Sequence, residues 1–148
     1  MFRGNHPAKV DEKGRLKLPS AFKDLLDVQN VTRFYVTSQD GKCAEVWPLP
    51  AWEKWEAQLG QRSMSPSVKN YLRWTSYYGQ EVDVDSQARI VLPQMLREEA
   101  QLNAEVDVIG NASHLEVHNK VLFKQNLDAN PLTEEDLSVM DEIQRSQA

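Results

Sequence analysis

Polar and apolar positions alternate in short stretches of this chain, and helical spacings lie between them. Arg15-Leu16-Lys17-Leu18 alternates strictly, as a half-buried strand does. Phe34-Tyr35-Val36-Thr37 and Ala44-Glu45-Val46-Trp47 read as two further strands, matched in the second half by Val106-Asp107-Val108-Ile109 and Leu115-Glu116-Val117-His118. After Pro19, the residues Phe22, Leu25 and Leu26 share one helical face. Trp52, Trp55 and Leu59 do the same before Gly60, and Val68, Tyr71, Leu72 and Thr75 follow the Ser65-Pro66 start signal. These last two segments predict a helical hairpin whose aromatic face packs in the core or at a subunit interface. A helix over 119–127 takes the corresponding place in the second half. Thr133 and Asp136 form a capping arrangement ahead of Leu137, Met140 and Ile143, so the tail is a short amphipathic helix. Disorder is expected from Gln144 onward.

The chain repeats itself. Val10-Asp11-Glu12-Lys13-Gly14-Arg15-Leu16-Lys17-Leu18-Pro19 aligns with Val84-Asp85-Ser86-Gln87-Ala88-Arg89-Ile90-Val91-Leu92-Pro93 at an offset of 74, with Val, Asp, Arg, Leu and Pro in register. Each copy is followed by a short helix and two strands. Asp11 and Asp85 can open a turn by accepting backbone N–H groups, and Gly14 can take a positive φ at low cost, so each copy predicts a β-hairpin running into a helix. Pro19 and Pro93 fit a first helical turn, where the missing N–H is tolerated. Ala88 stands where the first copy has Gly14. A positive φ there costs about 1 kcal/mol, so a differently shaped second turn is expected. A unit of this size buries little core alone, and two copies in one chain point to a single pseudo-twofold barrel. The implied organisation is a first repeat over 1–60, a connecting helix over 61–80, a second repeat over 81–130 and an acidic helical tail over 131–148.

Composition narrows the classes. The chain has 148 residues and a formal net charge of -5, yet residues 1–23 carry six basic against two acidic side chains, and residues 124–148 carry two against six. The basic start can attract a polyanion although the whole molecule is acidic. No apolar run approaches the ~20 residues that span a bilayer, and the N-terminus lacks a secretory h-region, so no membrane partner and a cytoplasmic location are expected. The single cysteine, Cys43, has no intramolecular disulfide partner and no sequence neighbour that marks it as a nucleophile. There is no CxxC, no HExxH and no glycine-rich phosphate loop. His114-x-x-x-His118 falls on one side of a strand with no Cys or acidic cluster at ligand spacing. No metal, no cofactor, no catalytic residue and no enzymatic activity are therefore expected.

The start Met1-Phe2-Arg3-Gly4-Asn5, the paired motifs Asp11…Arg15 and Asp85…Arg89, and the proline after each resemble the MraZ family of bacterial transcriptional regulators along essentially the whole chain. The resemblance implies a mixed α/β (α+β) fold. In it, two tandem AbrB/MraZ-like β-hairpin–helix repeats form a pseudo-twofold, double-psi-type swapped-hairpin barrel with peripheral helices. It also implies ring-shaped homo-oligomers, nucleoid association, and repression of the division and cell-wall gene cluster in which such a protein is encoded. The implied partner is double-stranded promoter DNA carrying short G-rich direct repeats.

On the residues alone, Asp11 and Arg15 flanking a tight turn read as a local lock. Under the resemblance Arg15 becomes a DNA contact, with Lys13, Arg3, Lys9 and Arg89 as further candidates and with Asp11, Gly14 and Asp85 forming the turns. A basic β-ribbon fits a major groove, and Arg suits guanine O6 and N7, whereas Lys13 suits phosphate. The first hairpin is more basic than the second, which offers Gln87 and Arg89, so the first is expected to face DNA and the second to lean toward structure or a subunit interface. The alternatives are an antitoxin-like module and a structural ring, each acting through a protein partner.

Overall fold

The computed structural model describes residues 1–147 and is a mixed α+β fold. The first repeat runs β1 (Asn5–Lys9), β2 (Arg15–Lys17), α1 (Ser20–Val28), β3 (Arg33–Thr37), β4 (Ala44–Pro48) and α2 (Leu49–Gly60). Helix α3 (Pro66–Tyr77) connects it to β5 (Gln80–Asp83), β6 (Arg89–Val91), α4 (Gln94–Glu99), β7 (Glu105–Asn111), β8 (His114–Asn119) and α5 (Lys120–Ala129). Helix α6 (Glu134–Ser146) closes the described chain.

Six strands form one antiparallel sheet in the order β1-β7-β8-β4-β3-β5, and β2 pairs with β6 in a separate two-stranded ribbon. The first strand of each repeat thus pairs inside the other repeat, β1 on β7 and β5 on β3. This corrects the local hairpin expected from the sequence. The arms on either side of the first turn meet only at the Val10–Leu16 bridge, and β2 takes its partner from the other copy. The reason is burial: Leu16 and Ile90 lie opposite each other in the ribbon, 0% and 1% exposed, and a ribbon drawn from both copies covers the sheet with apolar residues of both. Equivalent residues also face each other at the sheet centre, where Glu45 pairs with Glu116. One pseudo-twofold axis therefore runs through the ribbon and the sheet. The sheet ends at β1 and β5, so the described strands form an open sheet capped by a ribbon and no closed barrel.

The core lies between sheet and ribbon. Phe34, Val36, Val106 and Val117 from the sheet meet Leu16, Leu18, Ile90 and Leu92 from the ribbon, with Phe22 and Leu26 of α1 and Leu96 of α4 beside them. Each such side chain contributes about 1.5–3 kcal/mol on burial. Leu25, read from the sequence as part of the same helical face, is partly exposed. Pro19 and Pro93 sit one position before their helices, as N-caps, because their extended ψ closes the strand rather than opening the helix. Helices α2 and α3 meet where Trp55 Nε1 donates to the Tyr71 hydroxyl at 3.0 Å, and Trp52 alone of α2 is buried. Ser65 and Thr133 cap α3 and α6, the latter with a complete capping box. That box and three acidic residues in the first turn hold α6 helical through Ser146, past the point where disorder was expected. The last residue of that expectation, 148, lies outside the described residues. No described helix is long and apolar enough to cross a membrane.

Candidate nucleic-acid interface

The two turns are built alike. Asp11 Oδ1 accepts the backbone N–H groups of Lys13 and Arg15 at 3.0 and 2.8 Å, and Asp11 Oδ2 accepts Arg15 Nε at 2.6 Å. In the second turn Asp85 accepts Gln87 N, Arg89 N and Arg89 Nε at 2.8, 2.9 and 2.9 Å. The backbone bonds from Arg15 and Arg89 lead the causes that hold both carboxyls below their ordinary range. The turns close with Gly14 N donating to Asp11 O and Ala88 N to Asp85 O.

Ala88 has φ 61 and Gly14 φ 80, so the second turn is not shaped differently as its sequence suggested. Their surroundings differ. A Cβ at Gly14 would stand 2.4 Å from the Arg97 guanidinium, which is held under the first turn by Arg97 Nε donating to Leu92 O at 2.9 Å. Lys23, the counterpart of Arg97, pairs instead with Asp27 on its own helix. Ala88 carries its methyl group at the matching position of the second turn.

Leu16, Leu18, Ile90 and Leu92 point inward, so the outward face of the ribbon carries Arg15, Lys17, Arg89 and Val91. Arg15 stands opposite Val91, and Lys17 opposite Arg89. Like charges directly across a ribbon are unfavourable, and Asp85 offsets only one of the two. Each aspartate engages the Nε of its arginine, and among the described residues no acceptor bonds the terminal amino groups of either. The lock therefore leaves four N–H donors per guanidinium for an outside acceptor.

Of the other sequence candidates, Lys13 stands exposed in the first turn. Lys9 alternates with the core-facing Ala8 and points to the far side of the sheet, beside Lys120. Arg3 lies at the opposite end of β1, against Gly110, about 20 Å of strand away from Lys9. The ribbon thus brings together Arg15 and Arg89 but not Arg3 or Lys9. Lys17, not among the sequence candidates, shares the outward face with Arg15 and Arg89; its alternation in Arg15-Leu16-Lys17-Leu18 was the available signal.

On the far face of the sheet a cysteine and a carboxylate come beside His118, although the chain has no Cys or acidic cluster at ligand spacing around His114-x-x-x-His118. Strand β4 pairs with β8, and Cys43, Glu116 and His118 place one ligand-type atom each within 4.8 Å of one another. Their spacing along the chain concealed this, because Cys43 reaches His118 only through strand pairing.

A two-repeat protein with a shared β-ribbon, aspartate-locked turns and a cationic outward face is the class that this fold and site define. The family model described as "MraZ protein, putative antitoxin-like" matches residues 1–73 and 79–142. The chain is 52% identical over 144 residues to the transcriptional regulator MraZ of Acidobacterium capsulatum, covering 97% of this chain and 99% of that one. It is 42% identical over 146 residues to that of Koribacter versatilis, with the same coverage, and 36% identical over 125 residues to that of Thiobacillus denitrificans, covering 84% of each. The chain belongs to the MraZ family.

Proposed function

We propose that this chain is a sequence-specific DNA-binding transcriptional regulator without catalytic activity. In this reading it represses its own division and cell-wall gene cluster from the cytoplasm, on the nucleoid. The two copies, 1–60 and 81–130, supply one shared reading element, the β2–β6 ribbon, on a swapped-hairpin framework. The observation that carries this is the Lys17–Arg89 juxtaposition with Arg15 on the same outward face. Three cations gathered against the preference for opposite charge across a ribbon suit a polyanion. A two-stranded ribbon fits the major groove, and the terminal amino groups of an aspartate-held arginine suit guanine O6 and N7. Lys13 suits phosphate, whereas Lys9, on the far side of the sheet, and Arg3, at the other end of β1, stand off this face. The relatives' name, transcriptional regulator, agrees with this reading. One ribbon binds weakly at physiological salt, so we place several in a ring-shaped homo-oligomer meeting tandem short G-rich direct repeats, where multivalency raises effective concentration.

The test is fluorescence anisotropy of the protein on labelled DNA from upstream of its own gene, against scrambled DNA, over a salt series. Selective binding with a steep salt slope, lost in Arg15→Ala with assembly intact, is the expected result. Binding without selectivity at any salt overturns the reading and turns the search to a protein partner for the acidic tail.

A further inference from the structure

We propose that Cys43, Glu116 and His118 form a binding site for a borderline-soft divalent cation of the zinc class. The site lies on the face of the sheet turned away from the ribbon and does not rest on the DNA reading. Glu116 and His118 are two apart on β8 and therefore share a face, the one opposite the core residues Leu115 and Val117. Cys43 stands one step beyond the Ala44–Val117 pair, level with His118 on the neighbouring strand. The turn before it is fixed by Ser38 Oγ accepting Gly41 N at 2.9 Å and Asp40 Oδ1 accepting Lys42 N at 2.9 Å. The thiol sulfur, a carboxylate oxygen and a ring nitrogen all lie within 4.8 Å of one another. Ligand atoms of a tetrahedral zinc stand about 3.3–3.8 Å apart, so small side-chain rotations close the set.

The surroundings already orient two of the three groups. His118 Nε2 is 2.8 Å from Glu116 Oε1, and its ring stacks on Phe123 at 3.8 Å between centroids. Asn111 Nδ2 donates to Glu116 Oε2 at 2.6 Å, leaving Oε1 for the shared position. Such outer partners are what hold metal ligands in aim. Cys43 and His118 also line a cleft of about 370 Å³ with Asp40, Glu99, Asn119 and Asn126, which gives a fourth coordination position access to water.

Charge favours the ion. Glu116 places a carboxylate oxygen within 4.8 Å of the Cys43 sulfur, and Asp40 lines the same cleft as Cys43. Carboxylates gathered at the site attract a dication. On binding, Cys43 releases its S–H proton to solvent and His118 Nε2 exchanges its hydrogen bond to Glu116 for the metal. Thiolate and carboxylate then balance the two positive charges. Thiolate, imidazole and carboxylate together select the zinc class over magnesium or calcium.

The experiment titrates the reduced, chelator-treated full chain with Co²⁺ and follows absorption, then displaces cobalt with Zn²⁺. Cys43 is the only cysteine, so a thiolate-to-cobalt charge-transfer band saturating at one equivalent assigns the ion to it without any variant. The expected result is that band in wild type and in His114→Gln, its absence in Cys43→Ser, and cobalt affinity at least about tenfold weaker in His118→Gln. Zn²⁺ at a hundredfold excess over its Kd should raise the wild-type Tm by about 5–10 °C. Cobalt bound without a thiolate band, no cobalt bound at micromolar concentrations, or equal zinc shifts in wild type and Cys43→Ser would each overturn the proposal.

Discussion

Leu16 and Ile90 hold the same position in the two repeats and pair with each other across the ribbon, both buried. The pair lies on the pseudo-twofold axis, so neither repeat completes its core without the other. Leu16→Ala should destabilise the chain by about 2–5 kcal/mol, as a large-to-small change at a closed site does. Urea unfolding should remain one transition in the variant, because the β1–β7 and β3–β5 exchanges tie both repeats into every core layer. Combined with Ile90→Ala, the loss should depart from the sum of the single losses, since the two side chains share one cavity. Two separate transitions, or strict additivity, would show repeats that fold independently.

Much of this arrangement is legible in the chain. The offset of 74 exposes the two copies, and the Asp-x-x-x-Arg spacing gives turns whose hydrogen bonds match between copies. The period-2 pattern of Arg15-Leu16-Lys17-Leu18 gives the inward and outward faces. What periodicity cannot give is the partner of a strand. Leu16 buries equally well in a local hairpin or in an exchanged ribbon, and only the fit of both copies around one core selects the second. The same limit hid the Cys43–His118 approach, which depends on β4–β8 register. Arg97 beneath Gly14 was also hidden, since nothing in Met95-Leu96-Arg97 marks a side chain that reaches back under another repeat's turn.

Gly14 and Ala88 share a left-handed backbone but should respond oppositely to exchange. Gly14→Ala incurs the left-handed penalty and drives a methyl group into the Arg97 guanidinium, for a loss of about 1–2 kcal/mol. Arg97→Ala in the same chain should recover part of that loss. Ala88→Gly removes the left-handed penalty but adds disorder to the unfolded chain, leaving a gain of about 0.5 kcal/mol. Equilibrium urea unfolding of the four chains checks this ordering, and a loss in Ala88→Gly would refute it.

The turns should weaken in acid. Asp11 and Asp85 have carboxyls held below their ordinary 3.8 by backbone N–H groups and by their arginines. A carboxyl whose folded pKa is depressed contributes stability in full above its unfolded value and loses it as pH falls through the folded value. Stability should therefore be level above about pH 5 and decline below pH 4, with a shallower decline in the Asp11→Asn, Asp85→Asn chain. Because both carboxylates are solvent-exposed, the effect should be small and should shrink in high salt. Urea midpoints between pH 3 and 7 provide the check; identical profiles in the two chains would remove the aspartates from the account.

The ribbon's three cations should separate by role on DNA. Arg15 stands beside Lys13, and Arg89 beside Gln87, so the surroundings of Arg15 are richer in cations able to hold phosphate while its guanidinium reads a base. Arg15→Ala should weaken binding to upstream DNA by about 10- to 100-fold with little change on scrambled DNA, which corresponds to one bidentate base contact. Arg89→Ala should cost less, although its lock is built the same way. Lys17→Ala should weaken both DNAs alike and lower the salt slope by about 1, the signature of one phosphate. Anisotropy titrations at several salt concentrations distinguish these patterns. Equal losses for Arg15→Ala and Arg89→Ala would assign the two turns equal parts in reading, as the pseudo-twofold axis through Leu16 and Ile90 allows.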